Sequence, residues 1–286
     1  GHESIADDYP ALFQIRENDF LDQLRPAGHE QQGLGTRGEL RTRGEEDFTK
    51  LRTQRSATRI CTADGRDAVV VEPIQGEGGY VVPPNGYFQK LRAITSKHGI
   101  LLVVDEIQSG LGRTGKMFAI EHWKVEPDMV CIAKGIASGL PLSAMVAKAS
   151  IMTWPSGAHA NTFGGNPICC AAALKTIEMI EESLMDNARI TGDYLIKRLK
   201  QLQNKYDFIG DVRGKGLMVG IEIVKNRKTK AKDPERRTKI VNECFKKGIL
   251  LVGCGENNIR FSPSLIITKN DIDVAMEIIG NVLRKV

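Results

Sequence analysis

The stretch Ile100-Leu-Leu-Val-Val-Asp105-Glu106-Ile-Gln108-Ser-Gly110-Leu-Gly112-Arg-Thr-Gly115-Lys116 is a short apolar run that ends on two carboxylates and opens into a glycine-rich turn. Five consecutive apolar residues without alternation suit a parallel strand covered on both faces by helices. Asp105 then stands at the carboxyl end of that strand, the edge at which open α/β sheets hold their ligands.

Upstream, Val69-Val-Val-Glu72-Pro73-Ile-Gln75-Gly76-Glu77-Gly78-Gly79 reads as a second buried strand, followed by a turn whose glycines allow close backbone approach. Pro83-Pro84 starts a helix that runs to about Lys97 and stops at His98-Gly99, with glycine as the left-handed cap. Strand, helix and strand at this spacing form a βαβ unit with a parallel sheet. Downstream, Met129-Val-Cys-Ile-Ala133 reads as the next parallel strand and ends at Lys134-Gly135, and Leu142 to Ala147 is a further short strand. A polar loop over His159 to Pro167 leads into a long helix that begins near Ile168 and continues with breaks to about Lys205. Beyond it, strands over Phe208 to Val224, Ile249 to Val252 and Asn258 to Ser262 mix with a helix around Glu235 to Lys247. The closing helix starts at Thr268, where Thr-x-x-Asp271 forms a capping box. The fold class is α/β: a large domain with a mainly parallel sheet, and a smaller α+β domain at the carboxyl end.

At 286 residues and a net charge of +5, the chain has an ordinary soluble composition, and much of its positive excess lies in the first 66 residues. No nucleic-acid partner is expected for the folded body. No apolar run approaches the roughly 20 residues of a membrane span, so a cytoplasmic protein without membrane attachment is expected. The six cysteines show no Cys-x-x-Cys pair and the five histidines have no ligand spacing, which points to reduced thiols and no metal site.

Residues 1–66 carry arginines among Gly, Gln, Glu and Thr with no sustained period, and are expected to be an atypical, disordered or non-native segment. Gly33-Leu-Gly-Thr-Arg-Gly38 matches the dinucleotide glycine pattern, but Glu30-Gln-Gln precedes it where a strand should be, so the match is read as chance.

Asp105 and Lys134 each follow a buried strand, and a parallel sheet puts both at one edge. A carboxylate beside an amine there is either an ion pair or the grip on a cofactor. The cofactor reading is pyridoxal phosphate, which needs a lysine to form an imine and an acid to hold a proton on its pyridine nitrogen. Gly110 to Lys116 also approaches a phosphate-binding Walker loop. Met117 stands where Ser or Thr must ligate magnesium, and the acidic strand precedes the glycine loop directly, so the ATPase reading is set aside.

Four motifs carry a resemblance: Val71-Glu72-Pro-Ile-Gln-Gly-Glu-Gly-Gly79, Val104-Asp105-Glu-Ile-Gln108-Ser-Gly-Leu-Gly-Arg-Thr-Gly115, Ala133-Lys134-Gly135 with Gly139-Leu-Pro141, and Thr162-Phe-Gly-Gly-Asn-Pro167. Together they resemble class III pyridoxal-phosphate aminotransferases of the 4-aminobutyrate and ornithine type, over about Val69 to Val286. The resemblance implies fold type I, pyridoxal 5'-phosphate as cofactor and a homodimer with active sites at its interface. It implies amino transfer from an ω-amino or α-amino acid to a 2-oxo acid. A racemase or epimerase of the same fold uses the same lysine and acid, and an inert fragment is the third reading.

Residue by residue, the resemblance makes Lys134 the lysine that carries the cofactor and moves the proton. Asp105 becomes the partner of the pyridine nitrogen, Gln108 a hydrogen-bond partner of the phenolic oxygen, and Thr162 a phosphate ligand offered to the neighbouring subunit. Arg260 is the fork for a substrate carboxylate, and Glu72 the acid that pairs with it when the substrate lacks one. The expected domains are an atypical segment over 1–66, a partial large domain over 67–180 and a small domain over 181–286. The chain is therefore expected to be roughly the second half of such an enzyme. With no strand legible in residues 1–66, the Val69 strand is expected to lack a neighbour and to leave an edge open to association.

Overall fold

The computed structural model describes residues 67–158 and 160–286, together with the backbone of two strands, β1 (Leu12–Phe13) and β2 (Ala57–Cys61). The glycine pattern over 33–38 lies outside the described residues. Two compact units interleave along the chain. The first comprises the described residues up to Glu72 with Asn85–Ile107 and Trp123–Thr176; the second comprises Pro73–Pro84, Gln108–His122 and Ile177–Val286.

The first unit is built on a six-stranded mixed sheet in the order β1-β6-β5-β4-β3-β2. Its centre is parallel: β3 (Asp67–Val71), β4 (Leu101–Asp105) and β5 (Met129–Ile132) pair in that sense, as the βαβ reading requires. Leu101, Leu102, Val103 and Val104 are all buried, so β4 is covered on both faces. Helix α1 (Tyr87–Lys97) forms the crossover and buries Tyr87, Phe88, Leu91 and Thr95, one stripe at helical spacing. Phe88 is tilted against Trp123 with ring centroids 5.0 Å apart. The helix begins at Tyr87 and not at the prolines. Pro84 disfavours helical geometry at Pro83, and Gly86 supplies a left-handed N-cap at φ 81°.

The flanks of the sheet are antiparallel. β6 (Ala144–Ala147) pairs with β5 and with β1, while β2 pairs with β3 over its whole length. The strand Ala57–Cys61 corrects the expectation that residues 1–66 offer no neighbour for β3. An antiparallel edge strand tolerates charge and shows no buried run, so hydrophobic period does not reveal it.

At the opposite edge from the carboxyl ends, Asp128 ties three elements together. Its Oδ2 accepts from the Leu102 amide at 2.8 Å and from Arg92 at 2.7 Å, and its Oδ1 accepts from Lys148 at 3.2 Å. Burial pushes this carboxyl up, but the Leu102 amide, Arg92 and Lys148 together hold it below the usual carboxylate range. Because the folded value is depressed, the stabilisation is present above the unfolded pKa of about 3.9 and fades as pH falls through the folded value. Asp128→Ala is expected to cost about 2 kcal/mol at neutral pH, since buried donors lose their acceptor. Chemical denaturation should show that deficit shrinking in acid, and a deficit independent of pH would contradict the assignment.

The second unit contains an antiparallel sheet in the order β7-β8-β10-β9. Its strands are β7 (Ile209–Lys215), β8 (Met218–Ile223), β9 (Val252–Cys254) and β10 (Asn258–Phe261). Helix α2 (Pro167–Met179) runs through a π-turn at Ile180–Leu184 into α3 (Met185–Lys205). The helices α3, α4 (Pro234–Lys246) and α5 (Lys269–Leu283) cover the sheet around a core that includes Leu199, Ile221, Ile240, Ile259 and Ile279. The capping box is present: Thr268 Oγ1 accepts from the Asp271 amide at 3.2 Å, and Asp271 Oδ2 accepts from the Thr268 amide at 2.9 Å. β9 starts later than Ile249 because the Ile249 amide donates to Cys244 and closes the end of α4. Among the described residues no helix is long and apolar enough to cross a membrane.

Candidate active site

Parallel pairing in the first unit brings Asp105 level with Cys131. Lys134 follows three residues later, so the acid and the amine leave the sheet at the same edge from adjacent strands. Asp105 Oδ1 accepts from the Ile107 amide at 2.9 Å, which fixes the plane of the carboxylate. Burial, reinforced by the Asp105 charge, drives the Cys131 thiol well above its ordinary pKa, so it stays protonated and unreactive. Lys134 has φ 50°, a left-handed backbone that costs energy for a residue with a Cβ, and it opens a single 3₁₀ turn, Lys134–Ala137. Its side chain is exposed beside the sheet edge. Glu72 follows β3 and is half-buried, and Thr162 lies exposed in the loop before α2.

The arrangement fits pyridoxal phosphate in its two chemical requirements, a primary amine able to reach a carbonyl and a half-buried acid fixed by a backbone amide.

In the second unit the turn after Gln75 is closed by a bridge to Val81, with hydrogen bonds of 3.1 Å in both directions. Glu77 rises from this turn and is claimed by two side chains. Gln108 Nε2 donates to its Oε1 at 3.2 Å, and Arg260 of β10 forms an ion pair with the same oxygen. A Cβ at Gly76 would lie 2.8 Å from the Gln108 side-chain amide, so a larger residue there would shift Gln108. The Glu77 hydrogen bond opposes the desolvation that disfavours the Arg260 charge, and the guanidinium ends above its ordinary pKa. Within the second unit the acid paired with Arg260 is Glu77, which the sequence reading did not assign, while Glu72, the acid assigned there, belongs to the first unit. Both glutamates belong to the same motif, and the glycines around Glu77 are the signal that could have singled it out.

The glycines of the Gly110 to Lys116 turn have a packing role. A Cβ on Gly112 would lie 2.8 Å from Ile180, and one on Gly115 would lie 2.8 Å from Arg189. Arg113 turns inward and donates to the Pro263 carbonyl just past β10. Tyr80 and Arg213, which also brace this region, were not singled out from sequence.

Comparison with known proteins agrees with the geometry. The family model for class-III aminotransferases matches residues 22–283. The leucine/methionine racemase of Thermococcus litoralis is 47% identical over 217 residues, 75% of this chain and 49% of the relative. A 4-aminobutyrate aminotransferase of Mycobacterium leprae is 43% identical over 225 residues, 77% of this chain and 50% of the relative. Among solved structures, a Bacillus anthracis aminotransferase superposes with TM-score 0.73 at 35% identity, over 77% of this chain and 52% of that one. An amine transaminase from an uncultivated Pseudomonas species, in its PLP-bound form, gives TM-score 0.70 at 35% identity over 76% and 51%. The chain spans about half the length of the relatives it matches. With a matched family model over most of its length, acid and amine at one sheet edge and a fold shared with transaminases, the chain belongs to the class-III aminotransferases, pyridoxal-phosphate-dependent proteins of fold type I.

Proposed function

We propose that the chain is the part of a transaminase that carries the cofactor lysine and the substrate-carboxylate site. The amino group would pass from an amino acid of the 4-aminobutyrate or ornithine type to a 2-oxo acid. The observation that carries this reading is the Glu77–Arg260 pair. A transaminase of the ω-amino type must accept in turn a substrate with a carboxylate at that position and one without. An arginine that can exchange an internal carboxylate for a substrate carboxylate meets both demands without leaving a bare charge.

Bound pyridoxal phosphate supplies an electron sink for charge developed at the substrate Cα. Lys134 would hold it covalently and, once released by substrate, move the proton between the substrate Cα and the cofactor carbon. Asp105 would keep a proton on the ring nitrogen. Gln108 would contribute to the phenolic-oxygen environment while bonded to Glu77, and Thr162 would serve the phosphate of a neighbouring subunit. A second copy is the proposed cover for the apolar stripe on α2, where Ile168 and Leu174 are 72% and 70% exposed with Ala171 between them. Sedimentation is expected to give the mass of two chains, and a monomer would remove that part of the proposal.

Racemisation is the second reading, favoured by the 47% and 44% identical relatives named as racemases. Incubation of the protein with pyridoxal phosphate, 4-aminobutyrate or ornithine, and 2-oxoglutarate is expected to yield glutamate, with Arg260→Gln reducing turnover on 2-oxoglutarate by about 100-fold. Loss of optical activity in one amino acid without amino transfer would favour the racemase.

A further inference from the structure

We infer that Arg213 is a positioning residue that sets the strength of the Glu77–Arg260 pair, and with it the preference for substrates bearing a second carboxylate. The inference rests on the carboxylate-exchange reading above. Arg213 sits on β7 of the second unit with its side chain 18% exposed. Its Nη2 donates to the Gly79 carbonyl at 2.6 Å and to Asn258 Oδ1 at 2.6 Å, and its Nε donates to the Tyr80 carbonyl at 3.1 Å. Nη1 is held by Asp211 at 3.0 Å.

Those acceptors are not arbitrary. Gly79 and Tyr80 lie two and three residues after Glu77, and Asn258 lies two residues before Arg260 on β10. One planar guanidinium thus joins the turn that carries the acid to the strand that carries the base.

The turn needs such a clamp. Gly79 and Tyr80 are both at positive φ, 120° and 53°, and Tyr80 pays for that conformation as a residue with a Cβ. The Asn258 side chain also lies close over the turn, since a Cβ on Gly79 would lie 2.7 Å from its Nδ2. The carbonyl of Glu77 accepts from the Gly255 amide at 2.7 Å, a second tie on the same turn. With Arg213 in place, Glu77 competes with incoming carboxylates for Arg260 at a high effective concentration. Without it, the turn relaxes, Glu77 competes less well, and Arg260 is freer to take a carboxylate from solution. A purely structural strut predicts the opposite sign, because a distorted site binds its ligand less well.

The test is calorimetric titration of the whole chain with glutarate, in wild type, Arg213→Met, Glu77→Gln and the double variant, with Arg260→Gln as reference and thermal melting as fold control. Glu77→Gln is expected to tighten glutarate binding by about fivefold, Arg213→Met by a similar factor, and the double variant no further than either alone, because both changes act through one carboxylate. Arg213→Lys keeps the charge without the fork and stands in if Arg213→Met does not fold; it should show the same gain in smaller measure. Folded Arg213 variants with unchanged or weaker binding, or gains that multiply in the double variant, overturn the inference while leaving the carboxylate reading intact. If Arg260→Gln does not weaken glutarate, or Glu77→Gln does not tighten it, the carboxylate reading fails and this inference falls with it.

Discussion

Asp105→Ala is expected to lower the rate of amino transfer by several powers of ten in assembled enzyme while the protein still folds. The carboxylate stands at the end of β4 with one oxygen tied to the Ile107 amide at 2.9 Å, so a backbone donor helps to fix its position. In the proposed role it holds a proton on a pyridine nitrogen, and an unprotonated ring withdraws electrons poorly. Asp105→Asn should be nearly as slow, because an amide can hydrogen-bond the ring but cannot balance its charge. A rate near wild type in either variant would make the carboxylate structural only. A loss of cofactor binding alone, with full rate at saturation, would place its contribution in affinity and not in chemistry.

Gly192→Ala is expected to have the largest effect on stability. An ideal Cβ at Gly192 would lie 2.1 Å from the carbonyl carbon and oxygen of Gly216, backbone atoms that cannot turn aside. Gly216 is itself at φ 51° in the turn between β7 and β8, and its own Cβ would lie 2.5 Å from the Thr114 carbonyl carbon. Helix α3, the hairpin turn and the Arg113 turn therefore meet backbone to backbone. Forcing them apart should cost at least about 3 kcal/mol, or roughly 10 °C in the melting temperature. A melting curve within about 2 °C of wild type would show that the helix can shift at little cost.

The strand at Leu101–Asp105 was legible because a central parallel strand buries both faces, so composition alone marks it. Met129–Ile132 was legible from its apolar run, although only Cys131 and Ile132 of it are buried, and the Thr268 cap was legible because its two partners are three residues apart. What escaped depends on distance along the chain. The strand Ala57–Cys61 takes its identity from pairing with β3 and not from its own pattern. The interleaving of the two units, in which Pro73–Pro84 and Gln108–His122 join the carboxyl-terminal residues, leaves no trace in local periodicity. Glu77 and Glu72 are separated by only four residues of one motif, and what marks Glu77 out is Arg260, 183 residues away. Arg213 escaped for a like reason, since two of its acceptors are backbone carbonyls that carry no side-chain signature and a third, Asn258, lies 45 residues away along the chain.

The lysine assignment is open to a direct measurement. The chain is incubated with pyridoxal phosphate, reduced with borohydride, digested and mapped by mass spectrometry, alongside Lys134→Ala. The phosphopyridoxyl label is expected on the peptide containing Lys134, at near-stoichiometric yield at low cofactor concentration, and absent from that position in the variant. A label scattered over exposed lysines with equal yield in Lys134→Ala, or no label at all, would contradict the assignment and leave a fold of this family without its chemistry.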